Sequence, residues 1–87
     1  MNILLLLYVK LHNREENIVE NLTNRETEIL KLVTRGFSNE EIAQNLFISK
    51  HTVKMHISII LQKLEVRNRS EAAYLVGKAH LFEDNIS

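Results

Sequence analysis

The chain has 87 residues, a formal net charge of zero, no cysteine, no proline and only two glycines. Its length allows one domain with a small core, and the lack of cysteine excludes disulfides and thiolate metal sites. The scarcity of helix-breaking residues and a charged fraction of 25% favour an all-α fold over a sheet protein or a disordered tail.

The charges are unevenly distributed along the chain. Residues 49–80 contain six basic and two acidic side chains, a net charge of +4, whereas residues 1–48 contain five basic and seven acidic ones, a net charge of −2. A phosphate backbone responds to nearby charge, because salt screens interactions beyond about 10 Å. The C-terminal half can therefore attract nucleic acid although the whole chain is neutral.

Residues 1–21 are predicted to form an accessory segment before the main domain. It begins with the most apolar run of the chain, from Ile3 to Val9. A membrane-spanning helix needs about 20 apolar residues, and a signal peptide needs a basic residue ahead of the run, which this sequence lacks. We therefore expect no membrane span, no signal peptide and a cytoplasmic location. The run alone would equally suit a strand, but a further helix is predicted because apolar residues recur at helical spacing at Leu4, Leu7, Leu11, Ile18 and Leu22.

Two capping boxes mark the first two helices of the main domain. Thr23 with Glu26, and Ser38 with Glu41, have the spacing at which two side chains each satisfy a backbone N–H at a helix start. The first helix is predicted to end before Gly36, because glycine readily adopts the left-handed conformation that follows many helices. The second helix is short. The core-facing residues predicted for both helices are Ile29, Leu30, Leu32, Val33, Ile42, Ala43 and Leu46.

A third helix is predicted from its cap, Ser49, to about Leu64. At about 100° per residue, one arc of this helix is apolar. This core stripe consists of Val53, Ile57, Ile60, Leu61 and Leu64. The opposite side carries His51, Met55, Ser58 and Gln62, with Lys54 at its margin. One side of the helix is therefore expected to pack inward and the other to face solvent.

A fourth helix is predicted after Asn68, which can cap it with Glu71 three residues later. Its apolar residues suit either the core or a dimer interface. Because the helix is last in the domain, part of its apolar surface is expected to stay exposed and to pair with a second copy. The predicted dimer residues are Ala72, Ala73, Leu75, Val76 and Ala79. The main domain is expected to span residues 22–81, and residues 82–87 form a tail.

The second and third helices together constitute a predicted helix-turn-helix, in which the longer helix fits the major groove of DNA. The chain also resembles the LuxR (GerE) signature, without gaps, from Leu22 to about Leu81. The matching runs are Leu22-Thr23-x-Arg25-Glu26-x-Glu28-Ile29-Leu30, Gly36-Phe37-Ser38-Asn39-Glu40-Glu41-Ile42-Ala43, Leu46-Phe47-Ile48-Ser49-x-x-Thr52-Val53-Lys54-x-His56 and Lys63-Leu64-x-Val66-x-x-Arg69-x-Glu71-Ala72.

The resemblance implies a four-helix domain of a transcriptional regulator, whose third helix reads double-stranded DNA and whose fourth helix forms a homodimer. At the matching positions, the implied base contacts are Lys54, Met55 and Ser58. Implied phosphate contacts are Lys50, Thr52 and Arg69. Ser49 is added to them because a hydroxyl at a helix start suits phosphate oxygens. His51 and Gln62 are further candidate contacts, and RNA polymerase is a further candidate partner.

Two other functions remain open at this point. A promoter-binding sigma region shares the capped opening and the start of the reading helix, but the run from Val66 to Ala72 follows the LuxR pattern. An interaction module of the same fold could form mixed dimers and block a regulator without binding DNA, which the neutral net charge and the apolar N-terminal segment favour.

No enzyme activity, cofactor or metal site is expected. The sequence has no cysteine nucleophile, glycine-rich phosphate loop or nucleophile elbow, and His12 with Glu15 offers at most two metal ligands.

Overall fold

The computed structural model describes residues 3–5 and 21–82 of the chain. Within these ranges all regular secondary structure is helical, which confirms the predicted all-α fold. Four helices follow one another in the main domain: α1 (Asn24–Thr34), α2 (Asn39–Leu46), α3 (Lys50–Leu64) and α4 (Arg69–Lys78). Residues 3–5 are also helical. The helical spacing predicted through Leu7, Leu11 and Ile18 lies outside the described residues.

Both predicted capping boxes are present. The Thr23 hydroxyl accepts a hydrogen bond of 3.1 Å from the backbone N–H of Glu26, whose carboxylate accepts one of 2.8 Å from the N–H of Thr23. Ser38 and Glu41 form the same reciprocal pair at 3.1 and 3.0 Å. Each box satisfies two of the backbone donors that a helix start leaves unpaired, so the beginnings of α1 and α2 are determined locally.

Each of the four helices is followed by a residue with a positive φ angle, and these residues are Gly36, Phe47, Glu65 and His80. Gly36 follows α1 with a φ of 86°, as the sequence predicts. Phe47 and Glu65, which follow α2 and α3, have φ angles of 56° and 57° and adopt the left-handed conformation that side chains disfavour. After Phe47, the N–H of Ile48 donates to the carbonyl of Ala43 at 3.1 Å, which closes the turn between α2 and α3.

One hydrophobic core joins the four helices. The buried apolar residues are Leu22, Ile29, Leu30, Leu32, Val33, Ile42, Val53, Ile60, Leu64, Ala72 and Val76. Ile57 and Leu61 pack against this core while partly exposed, so the whole predicted stripe of α3 faces inward. Phe82, predicted as the first residue of the tail, also packs against the core, and its ring lies under the Lys31 ammonium at 5.3 Å. Phe82 therefore contributes to the packed core.

Two polar links brace the helices against each other. The Lys63 ammonium on α3 donates a hydrogen bond of 2.7 Å to the carboxylate of Glu26 on α1, which is only 4% exposed. Burial raises the pKa of Glu26, but hydrogen bonds from Lys63 and Thr23 outweigh burial and hold the pKa below its ordinary value. The Arg69 guanidinium on α4 donates to the Asn39 side chain at 2.8 Å and to the carbonyl of Phe37 at 2.9 Å. These links help to hold α3 in a defined orientation.

Candidate nucleic-acid interface

Helices α2 and α3, joined by residues 47–49, form the helix-turn-helix that the sequence predicts. Helix α3 packs against each of the other three helices. Its inner face is closed to solvent, since Val53, Ile60 and Leu64 are at most 2% exposed. With one face held in this way, the opposite face must point away from the domain. The candidate interface is this outer face, together with the first turn of α3.

The first turn of α3 presents hydroxyl groups and backbone donors. The Ser49 side chain accepts a hydrogen bond of 3.0 Å from the N–H of Thr52, and the two hydroxyl oxygens lie 2.8 Å apart. No acidic residue occupies this turn. A helix start carries partial positive charge, so these groups suit a phosphate oxygen. The Lys50 ammonium lies beside them, 3.9 Å from Glu40, with both side chains mostly exposed.

The outer face of α3 brings the predicted base-contacting residues together. Lys54, Met55 and Ser58 are all exposed, and with His51 and Ile59 they line an open surface hollow of about 470 Å³. Gln62 is exposed farther along the same helix. Lys54 makes no ion pair with any residue that the structure describes. This face thus combines one free cation with amide, hydroxyl and thioether groups.

Ile59 is an interface residue that the sequence analysis missed. The sequence analysis assigns it to neither face of α3, yet its side chain is 39% exposed and lines the same hollow as Met55. The sequence spacing could have placed Ile59 on the outer face, since a residue four positions after Met55 lies on the same side of a helix.

Arg69 lies in a different setting from the one predicted for a phosphate contact. Its two terminal nitrogens donate to Asn39 and to the carbonyl of Phe37, and its side chain is half-buried. Arg69 therefore braces the start of α4 against the segment that leads into α2, and only the donors that these two hydrogen bonds leave unused are available to a phosphate.

The predicted dimer residues of α4 divide between core and surface. Ala72 and Val76 are 0% and 4% exposed, so they lie in the core of this chain and their side chains have almost no surface left for a partner. Ala73, Leu75 and Ala79 are half-buried. The large exposed side chain of α4 is Tyr74, at 72% exposure, which the prediction had omitted. Tyr74 therefore offers the largest exposed apolar side chain of α4 to another molecule.

Residues 3–5 and 21–82 contain neither a membrane-spanning helix nor a cluster of metal-ligating residues. No helix in these ranges combines the length and the apolar character that a membrane crossing requires. The same ranges contain no cluster of three or more metal-ligating side chains.

Comparison with known proteins relates the chain to bacterial transcription regulators. The sequence model of the family described as bacterial regulatory proteins, luxR family (GerE), matches residues 20–76. The chain is 46% identical over 74 residues to the transcriptional regulatory protein LiaR of Bacillus subtilis (strain 168), an alignment that covers 83% of this chain and 35% of the relative. It is 44% identical over 78 residues to the response regulator protein VraR of Staphylococcus aureus (strain Mu3), covering 86% of this chain and 37% of the relative. The chain thus spans about a third of the length of these curated relatives.

Proposed function

The chain belongs to the luxR family of bacterial regulatory proteins, and on this premise we propose that it regulates transcription by binding double-stranded DNA with α3 in the major groove. One observation above all supports this role. Helix α3 is closed on its inner face and exposes Lys54, Met55 and Ser58 on the other. A helix with its side chains fits the major groove, where base edges can be distinguished. An enzymatic role has no support from a family of regulatory proteins.

Phosphate contacts position the domain in this proposal. Ser49, Lys50 and Thr52 surround the start of α3, where backbone N–H groups add partial positive charge. The weak Lys50–Glu40 pair is easily exchanged for a phosphate, since exposed ion pairs contribute only about 0–1 kcal/mol. Arg69 can add a contact only through donors that its bonds to Asn39 and Phe37 leave unused.

Base contacts follow one turn farther along α3. The Lys54 ammonium can donate to the guanine acceptors, Ser58 can donate or accept, and Met55 can contact an apolar group. His51 and Gln62 lie before and beyond this group on exposed positions and extend it along the groove. The three central residues would carry most of the discrimination between sequences.

Two copies paired through α4 would bind two half-sites. The exposed Tyr74, with the half-buried Ala73, Leu75 and Ala79, provides the apolar surface for this pairing. A two-fold dimer requires half-sites about one helical turn of DNA apart, in inverted orientation. A dimer bound in this way at a promoter could contact RNA polymerase, which is the further candidate partner.

The test is a titration of the full chain against a pool of mixed-sequence duplex DNA at two salt concentrations. A DNA-binding protein loses affinity steeply as salt rises, because each neutralised phosphate releases counterions. Measurable binding at low salt with a steep salt dependence is expected. Absence of binding at low salt would contradict the proposal and favour the module that acts through mixed dimers.

A further inference from the structure

The outer face of α3 carries two exposed apolar side chains, Met55 and Ile59. They are 53% and 39% exposed and line the same surface hollow. Residues four apart on a helix are neighbours, with about 5–6 Å between their Cβ atoms. The two side chains therefore form one continuous apolar surface, here called the Met55–Ile59 strip.

The polar groups around this strip offer few hydrogen bonds to base edges. Helix α3 contains no arginine or asparagine, the residues that most often form paired hydrogen bonds to guanine and adenine. Its one glutamine, Gln62, lies near the C-terminal end, away from the end that enters the groove first. Ser58 is short, and Lys54 is a single cation. Apolar side chains thus make up a large part of the reading face.

The major groove offers an apolar side chain one specific partner. Most base-edge groups there donate or accept hydrogen bonds, and thymine alone adds a methyl group. Pressing an apolar side chain against a donor or acceptor leaves that group unpaired, which is unfavourable. Contact between two apolar groups instead removes both from water. We propose that the Met55–Ile59 strip contacts thymine methyl groups and selects thymine-containing sites, with Ile59 as a specificity-determining residue. This inference rests on the proposed DNA-binding function.

The experiment compares thymine with uracil, which lacks the methyl group. A duplex is first selected by the full chain from a random pool, and it is then synthesised in thymine and deoxyuridine versions. Affinities for both are measured by fluorescence anisotropy at one salt concentration. Each contacted methyl group that is removed should weaken binding about fourfold, the factor that corresponds to burying one methyl-sized group.

Variants assign the effect to the strip. The measured quantity is the affinity for the thymine duplex divided by the affinity for the deoxyuridine duplex. This ratio should fall for Met55→Ala and for Ile59→Ala, and for the double variant it should approach one. Leu5→Ala removes a side chain of similar exposure, 57%, outside the proposed DNA and dimer surfaces, and should leave the ratio at its wild-type value. Met55 is the more exposed of the two residues, so Met55→Ala keeps the test decisive if Ile59→Ala impairs folding, which circular dichroism reports.

The outcomes separate this inference from the proposed function. Binding of equal strength to thymine and uracil duplexes would overturn the inference and leave DNA binding intact. A thymine preference that persists in the double variant, or a selected consensus without a fixed thymine, would overturn it as well. If no duplex is bound at all, both the proposed function and the inference are overturned.

Discussion

The basic side chains of the C-terminal half differ in how free their charges are. Lys63 pairs with Glu26 at 2.7 Å and Arg67 with Glu71 at 3.1 Å, whereas Lys54 has no ion pair among the residues that the structure describes. A count of charges along the sequence predicts a positive half but cannot show which cations are already paired, because pairing across 37 positions depends on the fold. The structure thus assigns the most available charge of the outer face to Lys54.

Replacing Lys54 with alanine should weaken DNA binding by about 1–3 kcal/mol, the usual contribution of a good base contact. Lys78→Ala is the matched control, since it removes the same charge from an exposed position at the end of α4. Binding to the selected duplex is measured for both variants at the same salt concentration. Equal losses of affinity in the two variants would show that Lys54 acts only through net charge.

Glu26 is expected to make stability depend on pH. Its carboxylate is buried, and hydrogen bonds from Lys63 and Thr23 lower its pKa despite that burial. The stabilisation from the ionised form is present at neutral pH and is lost as the pH falls through the lowered pKa. Glu26→Gln should therefore reduce the free energy of unfolding by about 1–3 kcal/mol at neutral pH, and the difference from the wild-type protein should shrink on acidification.

Urea unfolding at neutral and acidic pH, followed by circular dichroism, measures this effect. Glu28→Gln is the control, because Glu28 is exposed and its pair with Arg25 is 3.4 Å long. That variant should change stability by less than about 1 kcal/mol. A Glu26→Gln variant whose deficit stays constant with pH would refute the role assigned to the ionised carboxylate.

At the scale of helices, the starts were predictable but most of the left-handed ends were not, because only one of them, Gly36, is a glycine. The caps at Thr23, Ser38 and Ser49 are each formed by residues three positions apart, so the sequence alone contains the information. The sequence did not indicate that α2 ends at Phe47 in the left-handed conformation, because phenylalanine disfavours positive φ angles. A phenylalanine with a φ of 56° and 94% exposure is disfavoured both by its backbone and by its solvent-exposed ring. The turn geometry needed to orient α3 overrides the local preference of this residue.

Phe47→Gly should therefore stabilise the protein, by about 0.5–1 kcal/mol. Glycine removes the left-handed strain of about 1–2 kcal/mol, and part of this gain is offset by its greater freedom in the unfolded chain. Gln44→Gly is the control within the same helix, at an exposed interior position, where glycine should destabilise by about 1 kcal/mol. Thermal or urea unfolding measures both changes. Destabilisation by both substitutions would contradict the left-handed strain at Phe47.

At the scale of the whole molecule, the sequence did not determine which apolar residues of α4 face the core. Its apolar residues lie on several sides of the helix, so periodicity could not separate those that face the core from those available to a partner. The packing of α4 against α1 and α3 separates the two groups, because it buries Ala72 and Val76 and leaves Tyr74 exposed to solvent. The same reasoning applies to Ile59 on α3, whose apolar side chain lies on the outer face.

A dimer through α4 should depend on Tyr74. Tyr74→Lys places a charge at the proposed two-fold contact, opposite its own copy, and like charges so placed repel each other. Sedimentation equilibrium should show a self-association constant reduced at least about tenfold, since a fully desolvated interface charge costs several kcal/mol. Phe47→Gly removes an exposed aromatic side chain from another surface and should leave self-association unchanged. An unchanged dimer in the Tyr74→Lys variant would move the interface elsewhere.

The central claim is that the outer face of α3 enters the duplex, and a nuclear magnetic resonance titration with DNA tests it most directly. Backbone amide signals of the full chain are followed as the selected duplex is added. The largest shifts are predicted at residues 49–62. Shifts concentrated on α1 or α4, with Lys54, Met55 and Ser58 unaffected, would contradict the account.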